Sequence, residues 1–164
     1  MKRFFERVWD VVRKIPFGET RTYKWVAKKL GNLKLVRFVG LALNKNPFAP
    51  VVPCHRVIKS DGTIGGYSRG IDKKIELLKS EGIRIFEIDG KILVERKGVV
   101  KYWNEIRGEG RIKPIDEDGE FIFNFKDIEG DGYRTVDEGE IVYFLHYGKK
   151  VMRVRKYEKE QVIS

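Results

Sequence analysis

The spacing of apolar residues changes period near Arg84, and nothing else in the chain limits its possible folds as strongly. Upstream, Phe4, Phe5, Val8, Val11, Val12 and Ile15 recur at helical spacing, which predicts an amphipathic helix over 2–15 that stops before Pro16. Pro16-Phe17-Gly18 reads as a turn. Thr22 is placed to cap a second helix through Leu30, Gly31-Asn32 breaks it, and a third runs from about Lys34 to Leu43. Two short helices joined by a tight glycine turn predict a helix-turn-helix, although such hairpins are also common packing units. Asp72 is placed to cap a last helix that carries Ile75, Leu77 and Leu78 and ends at Gly82. Downstream, Phe86 to Val94 alternates around Asp89-Gly90, a hairpin signal, and short strands follow through Tyr157. The expected class is therefore α+β, with a mainly helical, winged-helix-like domain over 1–86 followed by a small all-β domain over 87–164.

Charge divides at the same place. Residues 1–86 hold 19 Lys and Arg against 7 Asp and Glu, a balance of +12, whereas residues 87–164 hold 15 against 17, a balance of −2. The basic first half is expected to meet phosphates. No stretch approaches the ~20 apolar residues of a membrane span, and Met1-Lys2-Arg3 leads into a helical pattern and not a signal-peptide core. A single cysteine fits a reducing, cytoplasmic setting. One Cys and two His, His55 and His146, make no zinc framework, so neither a metal nor an organic cofactor is expected. With 35% charged residues and a single glutamine, the composition is that of heat-adapted proteins.

That cysteine lies in Pro53-Cys54-His55-Arg56-Val57, between the apolar run Phe48 to Val52 and the turn Lys59-Ser60-Asp61-Gly62. A lone thiol forms no internal disulfide, and beside a histidine and an arginine it is a candidate nucleophile. The thiolate is the reactive form, an ordinary thiol has pKa ~8.5, and positive surroundings lower it. Arg56 and His55 are the candidates to supply them. The alternative is an inert buried cysteine beside a histidine satisfied by a backbone carbonyl.

Pro16-Phe17-Gly18-Glu19-Thr20, Thr22-Tyr23-Lys24, Val36-Arg37-Phe38-Val39-Gly40, Asn46-Pro47, Val52 through Ile58, Gly66-Tyr67-Ser68, and Lys74 through Glu81-Gly82 recur in one order. Over residues 2 to 86 the chain resembles the active-site domain of the O6-alkylguanine-DNA alkyltransferases. The resemblance implies irreversible, single-turnover transfer of the methyl group of O6-methylguanine in double-stranded DNA to Cys54. It also implies that His55 ionises Cys54 through a water, with Glu81 orienting His55, in the manner of a triad. Tyr23 then helps rotate the target nucleotide and donates a hydrogen bond to its ring, while Arg37 enters the stack in its place. Lys34, Gly40 and Arg56 are expected to join Arg37 and Tyr23 at the DNA. Asn46 corresponds to a brace of the site, and Asn46, Pro47, Val57, Tyr67, Ser68 and Lys74 form the expected substrate pocket. The chain departs from its relatives at Leu35, Phe38 and Leu41, which are bulkier than the usual alanines and glycines of the DNA-binding helix. It also begins at the first helix, so the N-terminal domain common in the family is expected to be missing.

Residues 97 to 157 resemble a cold-shock domain, a five-stranded OB barrel, through Lys97 to Asn104, Phe121 to Phe125, Gly130-Asp131-Gly132-Tyr133 and Val136 to Gly139. Such barrels stack bases on aromatics. Here Arg107-Gly108-Glu109-Gly110-Arg111-Ile112 lacks the aromatics of the first stacking strand, leaving Trp103 and Phe125 as the candidate platform. Between 114 and 145 stand ten acidic residues and two basic ones, Lys126 and Arg134. The expected role is an intramolecular brace, with weak single-strand binding as the alternative. The main rival for the whole chain is a non-catalytic lesion sensor or a methylation-responsive regulator, against which Cys54 argues, since lesion-binding relatives have tryptophan there. An RNA-binding protein with a degenerate repair domain is a third reading.

Overall fold

In the computed structural model residues 2–132 and 134–157 are described. Tyr133, one residue of the barrel motif, lies outside them. The chain forms two compact units that part between Val94 and Glu95. The fold is α+β.

In the first unit, α1 (Lys2–Val12) buries Val8 and Val12, and turn-type hydrogen bonds carry the chain on to buried Ile15. Its Trp9 indole N–H donates to the Ala42 carbonyl at 2.9 Å, which fastens α1 to the helix α3 (Val36–Asn44). Thr22 caps α2 (Tyr23–Lys29) as expected, its hydroxyl accepting from the Trp25 N–H at 3.1 Å. Gly31 takes φ +99°, a left-handed turn few other residues tolerate. Asn32 then caps a short 3₁₀ turn, Leu33–Leu35, that leads into α3. The strands β1 (Arg21–Thr22) and β2 (Val57–Ile58) pair in parallel, so the start of α2 and the end of the Cys54 turn are held side by side. Helix α4 (Ile71–Ser80) corrects one expectation: Asp72 lies in its first turn, and the cap position belongs to Gly70 at φ +95°.

The hairpin of β3 (Ile85–Ile88) and β4 (Lys91–Val94) turns at Asp89-Gly90, as the sequence predicts. It belongs with the first unit, eight residues beyond the expected division at 86/87. The reason is backbone pairing: Ile64 N–H donates to Ile92 O and Val94 N–H to Gly62 O, both at 3.0 Å. Val94 also shares a buried cluster with Ile58, Ile64, Leu78 and Ile83.

The second unit is one antiparallel sheet in the order β7-β6-β5-β8-β9, from β5 (Arg96–Asn104), β6 (Glu109–Pro114), β7 (Phe121–Asn124), β8 (Ile141–Tyr147) and β9 (Lys150–Lys156). A parallel bridge from Ile128, just past β7, to Val154 on β9 brings the two edges together and nearly closes a barrel. Gly98 and Gly110 let β5, β6 and the interior side chains pack closely, because a Cβ on either would stand 2.6 Å from a neighbouring atom. Val100, Ile112, Phe123, Val142, Phe144 and Val154 fill the interior. No helix among the described residues is long and apolar enough to cross a membrane.

Candidate active site

Cys54 opens a 3₁₀ turn, Cys54–Arg56, after Pro53 and is 3% exposed. Its sulfur accepts a hydrogen bond from Asn46 Nδ2 at 3.4 Å. The same amide donates to Val52 O at 3.0 Å, and Asn46 Oδ1 accepts from Phe48 N–H at 2.8 Å, so Asn46 fixes the segment that leads into the thiol. Cys54 lines a cleft of about 340 Å³ together with Tyr23, Gly40, Leu43, Asn44, Lys59, Gly65, Gly66, Tyr67 and Ser68. A Cβ at Gly65 would stand 2.9 Å from the Tyr23 hydroxyl oxygen. Only glycine leaves that ring its place. At Gly40 a Cβ would meet nothing within 4 Å, so packing within the fold does not demand glycine there.

The histidine is held from one side. His55 Nε2 and Glu81 Oε2 are 2.7 Å apart, with both side chains at most 4% exposed. Burial lowers the His55 pKa against the opposing pull of Glu81, so the ring is neutral at pH 7. A neutral ring that donates Nε2–H to a carboxylate carries its lone pair on Nδ1, and Nδ1 has no hydrogen-bond partner among the described residues. Glu81 also accepts from the Gly18 N–H at 2.8 Å and from Arg56 through Nε at 2.9 Å and Nη2 at 3.0 Å. Burial alone would raise its carboxyl pKa, but these hydrogen bonds outweigh burial and hold it below the usual carboxylate value. Glu81 is therefore no solvated helix-end charge.

Arg56, expected at the DNA, is turned inward. Besides Glu81 it binds Ile15 O at 2.8 Å and lies over the Phe17 ring, and only 15% of its side chain is exposed. A guanidinium paired this way supplies little field to the thiol. The cations that lower the Cys54 pKa are Lys74 and Arg69, and burial outweighs them together with Asn46, so the resting thiol is pushed up and keeps its proton. Lys74 is fully buried on α4, donating to Val57 O at 2.7 Å and Gly66 O at 3.0 Å, and burial brings its pKa down to about 7. The Tyr23 phenol is pushed up to about 12 by burial and by its nearness to Cys54, which keeps it a hydrogen-bond donor.

The structure thus gathers Cys54, His55, Glu81, Tyr23, Asn46, Lys74, Tyr67, Ser68 and Gly40 around one cleft. Of the residues expected in the pocket, Tyr67 and Ser68 line it; Asn46 and Lys74 stand behind the lining, bonded to the Cys54 sulfur and to Gly66 O, Val57 is fully buried and serves through its carbonyl, and Pro47 is exposed away from the lining. Arg37 and Lys34 are exposed on and just before α3. Sequence reasoning missed Lys59, Leu43, Asn44 and the Gly18 donor. Lys59 and Gly18 gave a signal, as the turn that ends the cysteine motif and as part of the Pro16-Phe17-Gly18 turn, but neither pointed to its partner. Among the described residues no group of three or more His, Cys, Asp or Glu is placed to hold a metal ion.

The family described as "6-O-methylguanine DNA methyltransferase, DNA binding domain" matches residues 3–83. The methylated-DNA--protein-cysteine methyltransferase of Methanosarcina acetivorans is 54% identical over 79 residues, 48% of this chain and 51% of that protein. That of Saccharolobus islandicus is 51% identical over 80 residues, 49% of this chain and 51% of its own length. The chain spans about half the length of these curated relatives. Among solved structures, S. pombe Atl1, in complex with damaged DNA containing O6-carboxymethylguanine, is 34% identical with a TM-score of 0.51, covering 57% of this chain and 89% of that one. Through residues 3–83 the chain belongs to the family of the 6-O-methylguanine DNA methyltransferase DNA-binding domain.

Proposed function

We propose that this protein repairs DNA by moving the alkyl group of O6-alkylguanine, methyl in the first instance, irreversibly onto Cys54. The observation that carries the reading is the arrangement of Cys54 in a cleft, beside a neutral histidine whose unpaired nitrogen is Nδ1 and whose other nitrogen is locked to Glu81. The thiol proton leaves toward His55 Nδ1, a path that the family resemblance routes through a water. The sulfur attacks the methyl carbon, an S–C bond forms, the C–O6 bond breaks, and guanine leaves with the proton lost by the thiol. Tyr23 keeps its own proton and donates to the base; Lys74, in its protonated form, steadies the transient thiolate. Alkylated Cys54 is a thioether, which neither water nor another thiol displaces under ordinary conditions, so each molecule turns over once. Exposed Arg37 is read as the side chain that fills the place of the flipped nucleotide, and open Gly40 as the point where α3 approaches the groove. The α2–turn–α3 pair is read as a helix-turn-helix and the β3–β4 hairpin as its wing. Against the rival of a lesion sensor stands the complete relay around Cys54. The test is loss of O6-methylguanine from a duplex in one-to-one proportion to protein, with Cys54→Ser binding the lesion but leaving it in place; turnover by Cys54→Ser would defeat the reading.

For the second unit we infer an OB-like, cold-shock-like barrel, a reading supported by the strand order and the Ile128–Val154 closure. Its β6–β7 surface does not suit bases or phosphates. Trp103 stacks on Phe123 with ring centres 5.6 Å apart, and Arg111 and Arg107 stand 3.7 Å and 3.9 Å from the carboxylates of Glu120 and Glu109. A stabilising role fits it better than single-strand binding. In the full chain, Trp103→Ala should leave single-strand affinity unchanged, and a marked loss would transfer that role to the barrel.

A further inference from the structure

The cleft holds more positive charge than a methyl group can use. None of its lining residues is Asp or Glu. Lys59 lines it, and its stem lies against Gly65, where a Cβ would be 3.4 Å from Lys59 Cγ and 2.9 Å from the Tyr23 hydroxyl oxygen. Arg69 follows Tyr67 and Ser68 of the cleft wall, and its charge works against the burial that pushes the Cys54 thiol and the Tyr67 phenol up. Among the described residues, neither Lys59 nor Arg69 has a side-chain hydrogen bond or an ion pair, whereas Arg13, Arg21 and Arg56 are each paired with a carboxylate. Tyr67 adds a buried hydroxyl with no partner. Lys59 and the idle Tyr67 hydroxyl thus stand on the wall of the cleft that holds the Cys54 sulfur, and Arg69 follows that wall in the chain.

We propose that Lys59, Arg69 and Tyr67 make this cleft selective for O6-alkyl groups that carry a carboxylate, of which carboxymethyl is the smallest. The inference rests on the alkyl-transfer reading of Cys54 and extends it to a substrate class. A carboxylate one bond from the reacting carbon repels an approaching thiolate, so transfer of such a group needs nearby positive charge to offset that repulsion. An unpaired cation on the cleft wall, with a second one next along the chain from it, meets that need. The chemistry otherwise matches methyl transfer: Cys54 sulfur bonds to the methylene carbon, the C–O6 bond breaks, and its electron pair stays with guanine. Guanine takes up the proton lost by the thiol, and the protein keeps S-carboxymethylcysteine. The competing use of Lys59 and Arg69 is contact with DNA phosphates, which would assist every lesion equally.

The full chain is given one duplex sequence carrying O6-methylguanine, O6-carboxymethylguanine or the uncharged isostere O6-carbamoylmethylguanine, and single-turnover rates are compared. Wild type should transfer carboxymethyl faster than carbamoylmethyl. Lys59→Gln with Arg69→Gln should lower the ratio of carboxymethyl to methyl rates by about tenfold, the size expected of exposed charge contacts. Arg69→Lys in the Lys59 background should retain most of that ratio. A double variant that slows all three lesions by the same factor assigns both cations to phosphates and overturns the proposal. So does a wild type that prefers the uncharged isostere. Failure of wild type on O6-methylguanine itself would instead remove the alkyl-transfer reading beneath it.

Discussion

Lys74 and Glu81 show opposite consequences of burying charge at single residues. The buried Lys74 ammonium is depressed to about 7 from 10.5, so between those pH values the unfolded chain binds a proton that the folded chain has shed. Stability therefore rises with pH across that window and is lowest below it, where the full penalty is on the order of 5 kcal/mol. Lys74→Met should abolish this slope in denaturant titrations at pH 6.5 to 10, while slowing alkyl transfer by removing the charge nearest the thiolate; an unchanged slope would show that another group titrates. Glu81 is shifted the other way, below its unfolded value, so its contribution is present above the ordinary carboxylate range and lost as pH falls through the folded value. Glu81→Gln leaves Arg56 without its carboxylate and should cost about 2–4 kcal/mol by denaturation, with slower repair. Arg37→Ala should slow repair in duplex far more than transfer from free O6-benzylguanine, because only the duplex requires flipping. Equal losses would place Arg37 in the chemistry. Of these residues, Cys54, His55 and Glu81 were legible as a motif. The Arg56–Glu81 pair was not, since its partners stand 25 positions apart and meet only because the end of α4 lands beside the Cys54 turn.

The elements read most reliably where the signal was local. Thr22 capped α2 because its hydroxyl needs only the N–H three residues on, and Asp89-Gly90 made its hairpin because the turn is set by two residues. Thr22→Ala should cost about 1 kcal/mol and loosen Tyr23, the first residue of α2, so repair should weaken more than the small stability loss implies. Repair kinetics and thermal unfolding on one variant would separate the two effects. Asp72 failed as a cap because backbone geometry at Gly70, invisible in composition, had already taken the position. The division of the chain was misplaced by the length of one hairpin for a similar reason: strand periodicity announces a strand but does not say which unit it pairs with. Gly110 illustrates what β6 requires in return. Gly110→Val forces a side chain into Phe123 and the Tyr102 carbonyl and should unfold the barrel at markedly lower temperature.

At the scale of the whole molecule, the charge division seen in the sequence predicts where nucleic acid binds. Duplex affinity should fall steeply with salt, and replacing Lys34 should lower that slope by about one contact. The barrel keeps its charges to itself: buried Arg96 binds Asp116 at 2.8 Å and His146 at 3.0 Å, and Arg155 grips Glu95. Arg96→Ala would strand a buried carboxylate and should cost about 3–5 kcal/mol, whereas an exposed pair such as Arg107 and Glu109 should be nearly neutral. This cluster was not legible, because its members lie on β5, β8 and the loop after β6 and are joined only by the pairing of those strands across the sheet. The central claim concerns one sulfur atom. Incubation of the full chain with a duplex carrying one O6-methylguanine, followed by mass measurement of the intact protein and of the peptide containing Cys54, should find one methyl group per molecule, all of it on Cys54, and none in Cys54→Ser. Unmodified protein beside a persisting lesion, or a methyl group on any other residue, would contradict the account.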